Sequence, residues 1–254
     1  MERRVEKRVA ASLLIASGAT IINSFWHGES LSTLERLCIS SFVHHGFAYH
    51  LYVYDEPTGV PAGVVLRDAS TVVPRAKIFR YASGNFNVGS YAGFSDVFRY
   101  TLIHEIGGWW ADTDVCCVAG FEIASDEAVF MEESQDERFR VATALFKLPQ
   151  KSDVLAYCLA AIANKNLQKV VHGEIGPDLF TAAVNHASIL SLPAYPFFPV
   201  PWWEYQRLLE ENELSMDGWS TVHFWNAMIT AAGIDKERQF PANSVFERLK
   251  RRYL

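Results

Sequence analysis

Two aspartates, Asp112 and Asp114, stand one residue apart after an apolar stretch that contains Trp109 and Trp110. Aspartate is disfavoured in β-strands, and a charged group next to buried strand residues must be paired or coordinated. Carboxylate oxygens are the ligands that hard divalent cations such as Mn²⁺ and Mg²⁺ prefer. The two carboxylates therefore predict a metal site at the end of a strand.

The residues before these aspartates predict the elements that position them. Between Phe94 and Ile106, apolar side chains recur every three or four residues, which is the spacing of a helix with one buried face. Gly107 supplies the backbone freedom with which helices end, and Gly108 begins the turn into the strand. The sequence thus predicts a helix, a Gly-Gly turn and a strand that delivers the two carboxylates.

This block resembles the sugar-nucleotide-binding signature of glycosyltransferases with a DxD motif, especially the Och1-type mannosyltransferases and capsular polysaccharide synthesis enzymes of glycosyltransferase family 32. A lone D-x-D carries almost no information, but the family pattern also contains D-x-x-R-Y, a short apolar helix and G-G. The chain matches the pattern, in order and at the family spacing, at Asp96, Arg99, Tyr100, Gly107, Gly108, Asp112 and Asp114. The resemblance extends from about Ile21 to about Asn226.

A second segment, Thr221–Asn226 (TVHFWN), resembles the family's H-x-W-N motif. The resemblance implies that His223 reaches the metal and the diphosphate as a third metal ligand beside Asp112 and Asp114. It also implies that Asn226 belongs to the donor pocket. The alternative is a histidine that only fills a place in an apolar strand, which is the commoner role of a lone strand histidine.

The resemblance further implies a donor pocket in which Asp96 and Arg99 contact the sugar ring, with Tyr100 and Gly108 nearby. Trp26, at the end of the first strand, is the candidate for stacking on the nucleotide base, and packing in the core is its alternative role. For Asp96 and Arg99 the alternative is a surface ion pair three residues apart on a helix, worth about 0.2–0.5 kcal/mol.

The first elements predict the fold class. Thr20–Trp26 and Ala48–Tyr54 read as strands, and Ser32 with Glu35 forms a capping box that starts a helix through about His45. A β-α-β start favours a mainly parallel central sheet flanked by helices, an α/β fold, and the resemblance implies a Rossmann-like GT-A domain. Further elements are expected as strands at Val64–Leu66, Phe130–Ser134 and 141–148, and helices at Pro74–Arg80, Asp153–Ala163, from Pro177 onward and in the basic C-terminal tail.

The length of 254 residues, half of them apolar, predicts one domain, with residues 20–118 binding the nucleotide sugar and 119–254 forming the acceptor side and a C-terminal helix. No G-x-G-x-x-G and no P-loop occurs in the sequence, which disfavours a dinucleotide enzyme or an ATPase. The net charge of −6 and the pI near 5.8 give no basis for nucleic-acid binding.

The expected compartment is the cytoplasm. The four cysteines lack zinc-like spacing, which indicates reduced thiols. Residues 1–19 read as a leader or an N-terminal helix. Their apolar stretch imitates a secretory signal, but Glu2 and Glu6 weaken that interpretation. The basic residues in this segment instead favour peripheral contact with the anionic inner face of a membrane.

Together these features predict a metal-dependent hexosyltransferase that uses Mn²⁺ or Mg²⁺. It would transfer sugar from a nucleoside diphosphate sugar to a glycan or lipid-linked acceptor, and the resemblance implies retention of configuration. No catalytic nucleophile can be named from the sequence. A nucleotide-sugar hydrolase and a non-catalytic glycan-binding protein are the alternatives. The aromatic segment from Pro193 to Tyr205 is either an acceptor platform or a hydrophobic plug beneath the C-terminal helix.

Overall fold

A computed structural model of the chain describes residues 19–82, 84, 86–135 and 140–254. Except for Ala19, the expected leader lies outside the described residues. The strands are β1 (Ile21–Trp26), β2 (Ala48–Val53), β3 (Val65–Asp68), β4 (Gly108–Ala111), β5 (Val115–Cys117), β6 (Ala128–Glu132), β7 (Arg140–Leu148) and β8 (Thr221–His223). The α-helices are α1 (Thr33–His44), α2 (Ala92–Ile106), α3 (Asp153–Ala163), α4 (Pro177–His186), α5 (Tyr205–Glu210), α6 (Asn226–Ala231) and α7 (Val245–Tyr253).

The central sheet has six strands in the order β3-β2-β1-β4-β7-β6. The four strands from β3 to β4 run parallel, whereas β7 is antiparallel to both β4 and β6. The expected α/β fold with a mainly parallel central sheet is therefore confirmed, and only β7, next to the edge strand β6, runs in the opposite direction. Because parallel strands end at the same edge, the residues after β1 and after β4 lie side by side.

Helices cover both faces of this sheet. Ile22 faces an apolar cluster that contains Phe42 of α1, whereas Phe25 faces a different cluster with Phe98 of α2. Side chains alternate between the faces of a strand, so these two residues of β1 point in opposite directions. The rings of Phe25 and Phe98 stack with their centroids 4.4 Å apart, which fixes α2 against the strand beside the aspartates.

Local sequence signals correctly placed several element ends. Ser32 and Glu35 form the expected capping box at the start of α1. Gly107 ends α2 with a φ of 69°, a left-handed conformation that glycine adopts without strain. Pro177 occupies the first turn of α4 as expected, since its missing N–H would have no partner there.

Two expected helices are shorter than the sequence indicated. Only Arg75–Lys77 of the Pro74–Arg80 stretch is helical, as a single 3₁₀ turn, because Ile78 is extended and no further turn follows. The basic tail is helical only as α7, which begins after Ser244. The Ser244 hydroxyl accepts a hydrogen bond from the backbone N–H of Glu247, the usual start signal of a helix.

A second, two-stranded sheet pairs β5 with β8 in antiparallel orientation. It places Val115 opposite His223, so the C-terminal part of the chain returns to the end of the central strands. All four cysteines are buried free thiols. None of the helices in the described part of the chain is long and apolar enough to cross a membrane.

Candidate active site

Asp112 and Asp114 lie in a turn between two strands that belong to different sheets. The aspartates follow the end of a strand as expected: β4 ends at Ala111, and β5 starts in a second sheet at Val115. The backbone N–H of Val115 donates to the Asp112 carbonyl at 3.1 Å, which closes the turn. Both carboxylates therefore sit at the carboxyl end of β4, beside the end of β1.

Asp114 is held by two donors from the C-terminal part of the chain. Its Oδ2 accepts hydrogen bonds from Nε2 of His223 at 3.1 Å and from the backbone N–H of Asn226 at 2.8 Å. Burial tends to raise the pKa of Asp114, but the attraction of His223 and these two hydrogen bonds bring it below its usual value. Burial lowers the pKa of His223, but the attraction of Asp114, together with Asp112 and Glu132, raises it above its usual value.

Trp225 shapes the segment that carries these donors. Its backbone is left-handed, with φ 56° and ψ 52°, a conformation that is costly for a residue other than glycine. Its ring lies against the His223 ring with centroids 3.9 Å apart, and its Nε1 donates to the Val200 carbonyl at 3.0 Å. These contacts hold the turn that directs the Asn226 N–H toward Asp114.

Arg99 connects the other aspartate to α2 and to β7. Its guanidinium lies 3.1 Å from Oδ1 of Asp112 and 3.5 Å from Oδ1 of Asp96, and it donates to the Thr143 carbonyl at 2.7 Å. Arg99 is only 4% exposed and Asp96 only 6%. The alternative of a solvated surface ion pair is therefore wrong, because the Asp96–Arg99 pair is buried and shared with Asp112.

Asp96 is a buried carboxylate beside the backbone of Gly176. A Cβ at Gly176 would come within 2.8 Å of Oδ2 of Asp96, so only glycine fits there without movement. Burial raises the pKa of Asp96 to about 7, and Arg99 opposes that shift only in part, while Asp112 adds to it. A carboxyl group that changes charge near neutral pH thus lies next to the Arg99–Asp112 pair.

Two residues that were expected in the donor pocket, Tyr100 and Gly108, do not join the group of Asp96, Arg99 and Asp112. Tyr100 is fully buried, donates to the Gly176 carbonyl at 3.3 Å and stacks on Phe180, so its side chain supports the site from within the core. Gly108 lies at the opposite end of β4 from Asp112, where its φ of 98° requires glycine. There it lines a cavity of about 990 Å³ together with Asn23.

Trp26 lies at the correct edge for the role expected of it. It ends β1, whose neighbour in the sheet is β4, and its Nε1 is buried without a hydrogen-bond partner among the described residues. The structure thus brings one set of predicted residues to a single edge of the sheet: Trp26, Asp96, Arg99, Asp112, Asp114, His223 and Asn226.

Whether these residues fit a metal ion depends on which of their nitrogen and oxygen atoms have no other partner. Nδ1 of His223 is buried and has no partner within the described part of the chain, while Nε2 is engaged by Asp114. The described residues include no preformed group of three or more His, Cys, Asp and Glu side chains arranged to hold a metal. Asp112 and Asp114 fit a cation whose remaining ligands come from bound phosphate oxygens, because hard cations accept such mixed oxygen shells.

Two further residues, Glu132 and Lys236, lie near the site and were not predicted from the sequence as site residues. Glu132, the last residue of β6, has a pKa raised by burial and interacts electrostatically with His223. Lys236 donates to Oδ1 of Asn226 at 3.2 Å and to Oε1 of the fully buried Glu35 at 2.6 Å. Acidic residues at the end of β6 were the only sequence signal for Glu132, and nothing in the sequence pointed to Lys236.

No protein-family model matches the chain, and no curated protein is similar to it. Among solved structures, the apo form of the glycosyltransferase GlyE of Streptococcus pneumoniae TIGR4 is similar with a TM-score of 0.50 and 10% identity. That match covers 93% of this chain and 61% of GlyE. The PaToxG glycosyltransferase matches with a TM-score of 0.45 and 14% identity, over 99% of this chain and 94% of PaToxG. At such identities the GlyE likeness shows a shared fold.

Proposed function

We propose that this protein is a metal-dependent glycosyltransferase that moves a sugar from a nucleoside diphosphate sugar to a glycan or lipid-linked acceptor. The observation that carries the proposal is the convergence of Asp112, Asp114, Arg99 and His223 at the carboxyl edge of the central sheet. In open α/β sheets this edge is where ligands bind. The D-x-x-R-Y and D-x-D spacing supplies the connection to sugar-nucleotide chemistry.

Asp112 and Asp114 would hold Mn²⁺ or Mg²⁺. The metal would act as a Lewis acid that offsets the charge developing on the diphosphate leaving group. The backbone N–H of Asn226 and the His223 ring fix the orientation of the Asp114 carboxylate. Nε2 of His223 donates to Asp114, and Nδ1 is buried on the other side of the ring, so His223 would orient the Asp114 carboxylate. As a third ligand, which would favour Mn²⁺ over Mg²⁺, its ring would have to release Asp114 and turn Nε2 toward the metal.

Arg99 and Asp96 would serve the donor sugar. Arg99 is held in place by Thr143 and Asp112, so its positive charge would act on the diphosphate without having to reorient. Asp96, adjacent to it, would accept hydrogen bonds from sugar hydroxyls. Trp26 at the neighbouring strand end would stack on the nucleotide base. Retention of configuration is part of this proposal, and no residue is assigned as the nucleophile.

The proposal is tested by ligand-dependent melting and by calorimetry. Uridine, guanosine and adenosine diphosphate sugars are each added with and without Mn²⁺, and the melting midpoint is recorded. A ligand at 100 times its dissociation constant stabilises the folded state by about 2.7 kcal/mol, which is readily measured. If no nucleotide sugar or nucleoside diphosphate raises the midpoint in the presence of Mn²⁺ or Mg²⁺, the proposal is wrong.

A nucleotide-sugar hydrolase would use the same donor half of the site, since its chemistry also needs the diphosphate to be neutralised. The two functions differ in the fate of the sugar. Analysis of products with and without added oligosaccharide separates them, because a hydrolase releases free sugar at the same rate in both cases.

A further inference from the structure

The aromatic segment that follows α4 is attached to the site strand β8. The Pro196 carbonyl accepts from the backbone N–H of Ser220 at 2.9 Å, and the Phe197 carbonyl accepts from the Thr221 hydroxyl at 2.6 Å. The next attachment is the bond from Trp225 to the Val200 carbonyl, described above. The segment therefore runs alongside β8 and the turn at Trp225, and hydrogen bonds to its backbone carbonyls fix it there.

Two adjacent tryptophans, Trp202 and Trp203, follow this attachment as a 3₁₀ turn. Their rings meet edge to face with centroids 5.7 Å apart, and both residues are only half-buried. Val200 and Tyr205 on either side belong to the apolar cluster under α7, but neither tryptophan packs into an apolar cluster formed by the described residues. The interpretation of this segment as a hydrophobic plug therefore holds for Val200 and Tyr205, but not for Trp202 and Trp203.

Large aromatic side chains that stay outside the apolar core mark a surface that binds a ligand, and this pair begins two residues after Val200, which is hydrogen-bonded to Trp225 beside His223. The residues after the tryptophans supply a polar rim. Arg207 forms ion pairs with Glu204 at 2.6 Å and with Glu211 at 2.7 Å, and all three side chains are substantially exposed. Such a rim offers hydrogen-bond donors and acceptors to hydroxyl groups, whereas an acyl chain would have to lie against charges.

We propose that Trp202 and Trp203 form the acceptor platform of the site and bind the apolar face of a sugar ring in a glycan acceptor. The proposal rests on the proposed function for the identity of the ligand as an acceptor. The two perpendicular rings would form a corner for the C–H face of a pyranose, and the adjacent Glu204 and Arg207 would bind its hydroxyls. Rigid aromatic rings contribute contact area at a small cost in conformational entropy.

The first experiment measures carbohydrate binding without any donor turnover. Saturation-transfer-difference NMR is recorded for maltotriose, cellotriose and mannotriose with the wild-type protein and with the Trp202→Ala/Trp203→Ala variant. We expect at least one oligosaccharide to bind the wild type and its affinity to fall about tenfold or more in the variant, equivalent to about 1.4 kcal/mol. The matched control is Tyr157→Ala, which removes an exposed aromatic ring on α3 and should leave binding unchanged.

The second experiment measures the ratio of transfer to hydrolysis with a nucleotide sugar, Mn²⁺ and the oligosaccharide that binds. This ratio should fall about tenfold in the double variant, which a general loss of activity would not produce. Circular dichroism checks the fold, and the single variants Trp202→Ala and Trp203→Ala replace the double variant if it does not fold.

Failure of this inference and failure of the proposed function give different results. If no nucleotide sugar binds or turns over, the glycosyltransferase proposal fails, while the NMR comparison still decides whether the tryptophans bind sugar. If the wild type binds none of the oligosaccharides, or if the tryptophan variants bind and glycosylate them like the wild type, the acceptor platform is wrong.

Discussion

Nε2 of His223 lies 3.1 Å from Oδ2 of Asp114, although 109 residues separate them in sequence. The contact follows from the pairing of β8 with β5, which sets His223 opposite Val115, the residue after Asp114. The left-handed turn at Trp225 then brings the Asn226 N–H to the same oxygen. The D-x-D turn and the H-x-W-N segment are therefore one structural unit.

Replacing Asp114 by asparagine tests whether this unit holds a metal. We expect Asp114→Asn to stay folded but to lose about 1–3 kcal/mol of unfolding free energy, because hydrogen bonds to a charged acceptor are replaced by bonds to an amide. Mn²⁺ binding in the presence of a nucleoside diphosphate, followed by electron paramagnetic resonance, should be lost. Asp126→Asn, at an exposed position, is the control and should bind Mn²⁺ like the wild type. An unchanged Mn²⁺ titration in folded Asp114→Asn would contradict the metal assignment.

The Arg99→Lys substitution keeps the charge and removes the planar group that contacts several partners. Lysine cannot reach the Thr143 carbonyl, Asp112 and Asp96 together, so a buried acceptor loses its bond. We expect a loss of about 1–3 kcal/mol in unfolding free energy and a fall in donor turnover of about tenfold or more. Arg75→Lys, in an exposed pair with Asp55, is the control and should leave the melting midpoint unchanged. Wild-type turnover in Arg99→Lys would remove Arg99 from the donor pocket.

The raised pKa of Asp96 predicts that the stability of the folded protein changes with pH. Its pKa is about 7 in the folded protein, against an ordinary value of 3.8, so the folded state binds the proton more tightly than the unfolded chain does. The stabilisation it contributes is complete below pH 3.8 and is lost as the pH rises through 7. Over this window the unfolding free energy of the wild type should fall by up to about 1.4 kcal/mol per pH unit, relative to Asp96→Asn. Denaturant titrations at several pH values measure the unfolding free energy of both proteins. If it changes with pH in the same way in the wild type and in Asp96→Asn, the prediction is wrong.

Gly176→Ala tests the packing that buries Asp96. The added methyl would lie 2.8 Å from the Asp96 carboxylate, so the α4 entry must shift, and we expect a loss of about 1–3 kcal/mol in unfolding free energy. Gly120→Ala is the matched control, since its methyl would meet only His45 at an ordinary 3.7 Å. Equal melting midpoints for the two variants would show that the surroundings of Asp96 accommodate the added methyl group, and would contradict the prediction.

Much of the local structure could be predicted from the sequence. The capping box at Ser32, the end of α2 at Gly107 and the start of α4 at Pro177 follow from the conformational preferences of those residues and their neighbours. The β-α-β order from β1 to β2 predicted parallel pairing, because a crossover helix brings the second strand back in the same direction as the first. The succession of a helix, a Gly-Gly turn and a strand that ends before Asp112 was also predicted correctly. Metal binding, donor binding and the transfer reaction remain predictions.

The surroundings of the candidate residues could not be predicted from the sequence. The i,i+3 spacing of Asp96 and Arg99 is the same on an exposed helix and on a buried one, and it is the Gly176 backbone and the Thr143 carbonyl that bury them. The distance of Gly108 from the site followed from the direction of β4. Trp202 stays outside the apolar core because the residues before it are bonded to β8, and that attachment cannot be read from the sequence.

The sequence by itself therefore determined several helices and strands, such as α1, α2 and β1, and which carboxylates stand at a strand end, since these depend on neighbouring residues. Tertiary structure alone decided that β7 runs antiparallel, that Arg99 bridges Asp96 and Asp112, and that His223 meets Asp114. The physical reason is that strand direction, register and burial are set by hydrogen bonds and packing between segments up to about a hundred residues apart, which local propensity does not encode.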